Sequence, residues 1–289
     1  MMNKSLLKGV MTRGVGSVAI LLLTMGVFGS QQALAAIAGG KHDLTPTGSA
    51  TNKFTATAAG ATEICVFCHT PHGSASTAEL PLWNRTASAG AYTTYNTLGT
   101  SSLDGATAAV GSVSLACLSC HDGATAMNTM VNAPGSGLGG GAYSGTWSAG
   151  TGTMAAGIAN LGKDLKNDHP IGIQYGGGMA GNVAYTQAAI GDGGFKDTDF
   201  KGVQFATLNS QPLWWVDTGG AGRQKTDLML YTRTGASATP AGTSTAAITL
   251  AGAQAFVECA SCHDPHSTNT TFLRISNAGS AVCLACHIK

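Results

Sequence analysis

Apolar positions are spread unevenly along this 289-residue chain. The one long apolar run lies near the start, from about Val15 to Phe28. It follows Lys4, Lys8 and Arg13 and precedes Ala33-Leu34-Ala35. A basic stretch, a short apolar stretch and an A-x-A site together read as a secretory leader, residues 1–35, removed on export. As a membrane anchor the run falls short of ~20 residues, and Gly26 and Gly29 interrupt it. No second long apolar run follows, so residues 36–289 are expected to be exported without a transmembrane segment.

Beyond the leader the patterning is weak. Leu213-Trp214-Trp215-Val216 and Leu228-Met229-Leu230-Tyr231 are dense enough for two short strands. The rest of 126–250 is rich in Gly, Ala, Ser and Thr, and runs such as Gly135 to Gly141 read as loops. No G-x-x-x-x-G-K-[ST] phosphate loop is present. Helices are expected only as short pieces, Ser276 to His287 being the best candidate. The expected architecture is mostly irregular coil that admits a few short strands.

Composition sharpens this. Charged residues make up 10% of the chain and aromatics 6%, while glycine alone numbers 41. So few large side chains make a thin core, and another apolar group is expected to fill it. Three of the 15 basic residues and none of the 14 acids lie in the leader, which leaves 12 basic against 14 acidic residues. This is no electrostatic footprint for nucleic acid.

All eight cysteines fall in one repeated word, C-x-x-C-H: Cys65/Cys68/His69, Cys117/Cys120/His121, Cys259/Cys262/His263 and Cys283/Cys286/His287. The word is the c-type haem attachment site, and chance would give about 0.01 copies in such a chain. Two thiols three residues apart sit on one side of a single turn, where they can add to the two vinyl groups of one haem. The histidine that follows supplies the proximal imidazole. Disulfides suit an exported chain but do not require a histidine after every second cysteine. Structural zinc fails on the same point, and a thioredoxin-type motif wants one C-x-x-C near a βαβ pattern. Four covalent haem c groups are therefore expected, and their macrocycles would fill the core. The domain over 36–289 divides into the first two words (36–125), a Gly-rich covering segment (126–250) and the last two words (251–289).

Four other histidines, His42, His72, His169 and His266, match the four remaining axial positions. Bis-histidine ligation is expected, in preference to Met127, Met130, Met154, Met179 or Met229, which read as packing residues. Two axial histidines on one iron hold their Cα atoms roughly 12 Å apart. Three residues span at most ~10–11 Å. His72 therefore cannot serve the iron of His69, nor His266 that of His263. Pro71 and Pro265 extend the residue before them and aim each second histidine at another haem. By nearness in the chain, His42 is expected on the haem of Cys65/Cys68. His169 is expected on that of Cys117/Cys120, and His266 on that of Cys283/Cys286. This leaves His72 for Cys259/Cys262.

The words EICVFCHTPH, ACLSCHDG, DHPIGI, VECASCHDPHSTNTTFLR and VCLACHIK resemble the outer-surface multihaem c-type cytochromes of metal-reducing bacteria. The likeness is greatest to the tetrahaem filament-forming OmcE type. It covers both ends of the exported chain and His169. The resemblance implies low-spin bis-histidine haems stacked in a continuous chain, little regular secondary structure, and polymerisation into a conductive extracellular filament. It also implies that the second histidine of the first word, here His72, crosses to a haem of the next subunit. Partners would then be further copies of the chain, redox-partner cytochromes and extracellular acceptors. Two other functions compete: a monomeric periplasmic or surface electron shuttle, and a multihaem reductase. A reductase needs an iron with an open position. The matched histidine count speaks against one, so no catalytic residues are assigned.

Overall fold

The computed structural model describes residues 37–54, 63–75, 80–88, 91–95, 98, 103, 105–132, 141–142, 152–168, 170–179, 194–234, 237–239, 248–249 and 252–288. The expected leader, most of the Gly135–Gly141 run and His169 lie outside the described residues.

An antiparallel β-sheet organises the chain. Its strands are β1 (Thr107–Ala108), β4 (Ile173–Gln174), β5 (Gln204–Leu208), β6 (Gln211–Val216), β7 (Leu228–Thr234), β8 (Ser237–Thr239), β9 (Ile248–Thr249) and β10 (Ala253–Val257). Six of them run across the sheet in the order β5-β6-β7-β10-β4-β1, and β8 and β9 extend it beyond β1. A separate pair joins β2 (Thr129–Met130) to β3 (Gly141–Ala142). The expected coil-dominated chain around a haem-filled core is thus overturned. Regular antiparallel pairing and a side-chain core hold much of the molecule, with few and short helices.

The dense apolar segments drive this sheet. Asn209 and Ser210, at φ of 50° and 62°, form a two-residue turn that sets Leu208 opposite Gln211. Positive φ at both central residues matches the twist of the flanking strands. From β6 to β7 the register sets Trp214 against Leu230 and Val216 against Leu228. Alternation along each strand places these four side chains on one face. There they form a core with Tyr175, Phe195, Val203 and Ala255. Trp214 is fully buried, at 0% exposure. Such cross-strand pairs of large side chains are the unit of sheet stability.

The sheet also positions the cysteine words. Strand β10 runs through Glu258 directly into helix α2 (Cys259–Cys262). Helix α1 (Ser112–His121) begins four residues after β1 ends. Helix α3 (Ala281–Cys286) sends Ala285 into the Trp214 core. Buried amides lock the junction: Gln174 Nε2 donates to Gln254 Oε1 at 2.8 Å, and the Ala106 N–H donates to Gln174 Oε1 at 3.2 Å. Among the described residues no helix is long and apolar enough to cross a membrane.

Candidate functional site

Each cysteine word occupies one tight turn. The first lies on a 3₁₀ turn, Ile64–Phe67, where the His69 N–H donates to Cys65 O at 2.9 Å. The second forms the last turn of α1. In the third and fourth, His263 N donates to Cys259 O at 3.1 Å and His287 N to Cys283 O at 2.9 Å. Residues i and i+3 of a turn share one side, so every cysteine pair faces one way with its histidine beside it. No disulfide pairs any of the eight cysteines. Burial pushes the thiols of Cys68 and Cys286 up to about 12.

Three of the four following histidines are oriented through Nδ1. His69 meets Pro81 O at 3.2 Å, His121 meets Ala159 O at 2.7 Å, and His263 meets Thr271 O at 2.8 Å. A carbonyl only accepts, so Nδ1 carries the proton and Nε2 is left as the ligating nitrogen. A second partner that fixes the tautomer in this way is characteristic of metal-binding imidazoles. Thr271, at φ of 55°, is a β-branched residue in the left-handed region. That strained turn aims its carbonyl at His263 and sets the Phe272 ring 4.2 Å from the His42 ring.

Two further histidines face members of these words. The ring centres of His42 and His121 are 6.2 Å apart with planes at 86°. Those of His69 and His266 are also 6.2 Å apart, with planes at 17°. Metal–nitrogen bonds of about 2 Å, plus about 1.1 Å from nitrogen to ring centre, place two imidazoles on one iron with centres about 6 Å apart. Both separations match that distance. Burial, and then the neighbouring His121, hold His42 down to about 4, and burial also lowers His121. Both shifts favour the neutral imidazole, the form that binds metal.

These neighbours differ from the partners expected from nearness in the chain. His42 faces the second word rather than the first, and His266 faces the first rather than the fourth. Order in space departs from order in the chain because the segment after His263 doubles back, with His263 bridged to Leu273. This fold carries His266 across to His69. His266 leans on Asp264, whose Oδ1 lies 3.3 Å from its Nδ1, and this contact raises the imidazole's pKa. His72 is exposed, and His287 packs against the Phe200 ring, centres 4.3 Å apart.

Successive words are neighbours in space. Cys68 and Cys120 pack on the same cluster of Phe54, Phe67, Met127 and Met130. The Cys117 and Cys259 thiols share a hydrogen bond. Cys262 lies within electrostatic range of Cys283 and Cys286. A buried clamp sets the α1–α2 junction. Glu258 accepts from Ser114 Oγ and pairs with Arg233, and Ser114 Oγ accepts the Cys259 N–H at 3.0 Å. Sequence reasoning passed over Glu258, Arg233 and Asp264. Only the positions of Glu258 and Asp264, next to a cysteine word, could have drawn notice.

Residues 253–289 match the family model for the doubled C-x-x-C-H motif. None of the curated proteins compared matches the chain. A doubled haem-binding motif of this kind indicates a multihaem c-type cytochrome, with covalently bound haem c as cofactor and electron transfer as the usual role of that class.

Proposed function

We propose that the chain binds four haems, one at each C-x-x-C-H word, and passes electrons along them as a subunit of an extracellular cytochrome filament. The observation that carries this reading is the closeness of successive words: Cys68 and Cys120 pack on one cluster, Cys117 lies against Cys259, and Cys262 lies within electrostatic range of Cys283. Haems tethered there would follow one another in chain order. The haems supply the redox chemistry when bound. The chain supplies their spacing, their imidazole ligands and a dry surrounding that sets their potentials. The leader pattern in residues 1–35 supports export.

With His42 at the second word and His266 at the first, His72 and His169 remain for the irons of His263 and His287. Ile171 belongs to the cluster on which Cys259 packs, so His169, two residues away in the chain, is assigned to the third haem. His72 is then the ligand for the fourth haem, at His287, donated to a neighbouring molecule. The His72 loop is held outward from below. Asn132 Nδ2 donates to His72 O at 2.8 Å and to Thr70 Oγ1 at 3.0 Å, and Thr70 Oγ1 donates to His72 O at 2.9 Å. Each subunit would give and receive one imidazole in a head-to-tail contact that does not close, which propagates a filament.

Electron microscopy of purified holoprotein, wild type and His72→Ala, tests this. Filaments are expected from the wild type, and from the variant short or no filaments with one five-coordinate haem. Full-length variant filaments with only low-spin haem would discard the ligand in trans. A wild type that stays monomeric with four six-coordinate haems would point to a soluble shuttle.

A further inference from the structure

We infer that Arg85 is a fixed, buried positive charge that raises the reduction potentials of the two haems attached at Cys65/Cys68 and Cys117/Cys120. The inference rests on haem attachment at those two words and is independent of filament assembly.

Arg85 is 1% exposed, which makes it one of the largest fully buried side chains of the protein. A buried arginine ordinarily pairs with a carboxylate, because an isolated charge in a low-dielectric interior is costly. No ion pair joins Arg85 to an acid among the described residues. Its guanidinium instead donates to backbone carbonyls: Met127 O at 2.6 Å, Ala126 O at 2.8 Å and Ser119 O at 3.4 Å. Ser119 O belongs to the last turn of α1, where carbonyls lack helical partners and the helix dipole is negative. These dipoles solvate the cation without neutralising it. Its Nε is buried with no acceptor.

The place of this charge follows from its neighbours. The adjacent Asn84 donates its N–H to Cys68 O at 2.9 Å. Ser119, which the guanidinium touches, precedes Cys120. The cation therefore sits between the attachment cysteines of the first two words. The nearby buried carboxylates make no ion pair with Arg85: Asp43 accepts from Thr45, and Asp122 accepts from Ser88 Oγ at 2.8 Å, Thr125 Oγ1 at 2.8 Å and Tyr92 OH at 3.2 Å. The buried acid of the third word, Glu258, is matched by Arg233. Arg85 is thus a buried charge with no bonded counter-ion beside the first two words.

Reduction adds one electron to a haem. A nearby positive charge favours the reduced form, and it does so more strongly in a dry interior than in water. The charge on Arg85 would therefore favour electron residence on the first and second haems over what they would hold without it.

The test is a redox titration of purified holoprotein, followed by visible absorbance, with intact mass confirming four haems in every sample. Arg85→Gln removes the charge and keeps a hydrogen-bonding side chain. Two of the four midpoints are expected to move down. Arg85→Lys keeps the charge and should hold the wild-type curve. Ala126→Asp places a carboxylate on a residue that already contacts the guanidinium, and it should lower the same two midpoints. This second variant decides the matter if Arg85→Gln fails to mature. A neutral or charge-compensated variant whose titration overlays the wild type, with four haems attached, overturns the inference. So does an equal downward shift in Arg85→Lys, which would trace the effect to packing. A mass short of the first or second haem in the wild type would instead remove the reading on which the inference rests.

Discussion

His69 and His266 stand with their ring centres 6.2 Å apart and their planes only 17° from parallel, although they belong to the first and third cysteine words. The other pair, His42 and His121, has the same separation with planes at 86°. If each pair holds one iron, the two haems differ electronically. Near-parallel imidazoles split the two iron d orbitals that overlap the rings, whereas perpendicular rings leave them nearly equal. Electron paramagnetic resonance of the oxidised protein should show a rhombic low-spin signal together with a strongly anisotropic one. His42→Ala should remove the anisotropic signal of the second haem and keep four haems attached. A His42→Ala spectrum identical to the wild type would break the His42–His121 assignment.

Attachment itself is checked by mass. The cleaved, matured protein should exceed its polypeptide by four haems. Cys283→Ala with Cys286→Ala should lower that number by one and leave the other three words loaded, because each word closes on its own turn. Three haems in the wild type, or loss of several haems in the double variant, would contradict this.

The cysteine words were legible because covalent haem chemistry imposes a local spacing that no fold can disguise. The strands at Trp214 and Leu228 were legible for a similar reason, since large apolar residues are crowded there against a polar background. The rest of the sheet was hidden. Strand β4 is only Ile173 and Gln174, and β10 is built on small residues and a buried Gln254. Such segments gain their stability from partners distant in sequence, Val257 opposite Ile173 and Phe256 opposite Tyr231. The histidine pairs were hidden for the same physical reason. Nearness in the chain suggested partners, whereas the reversal after His263 sets His266 beside His69.

The Ser114–Glu258–Arg233 clamp should be a large contributor to stability. Glu258 is fully buried and Arg233 mostly so. Glu258→Ala strands the cation and is expected to destabilise the protein by about 3–5 kcal/mol. Replacing both residues with apolar ones of similar size, Glu258→Leu with Arg233→Met, should cost less than the two single changes together. Circular dichroism during denaturant unfolding measures both. Additive losses would show that the two charges act separately.

Asn132 tests how far assembly depends on a preset His72. The loop Pro71-His72-Gly73 is exposed, yet its backbone is gripped from beneath. Asn132 binds His72 O and Thr70 Oγ1, while its own N–H donates to Asn84 Oδ1 at 2.8 Å. Asn84, fully buried, closes the set by donating to Val66 O at 2.7 Å and Asn132 O at 2.9 Å. Val66 lies within the first cysteine word, so the imidazole of His72 is referenced to the first haem site. Asn132→Ala removes two of the hydrogen bonds below His72 and frees the loop without touching the imidazole. Ordering that loop on contact then costs about 1–2 kcal/mol for each residue fixed. The variant should still form filaments, at a protein concentration higher by roughly 10-fold or more, since each 1.4 kcal/mol is a factor of ten. Its four haems and their attachment should be unchanged. Dilution series imaged by electron microscopy, with His72→Ala as the null, read this directly. If Asn132→Ala assembles at the wild-type concentration while His72→Ala does not, His72 acts without the buttress and only the preset loop is refuted.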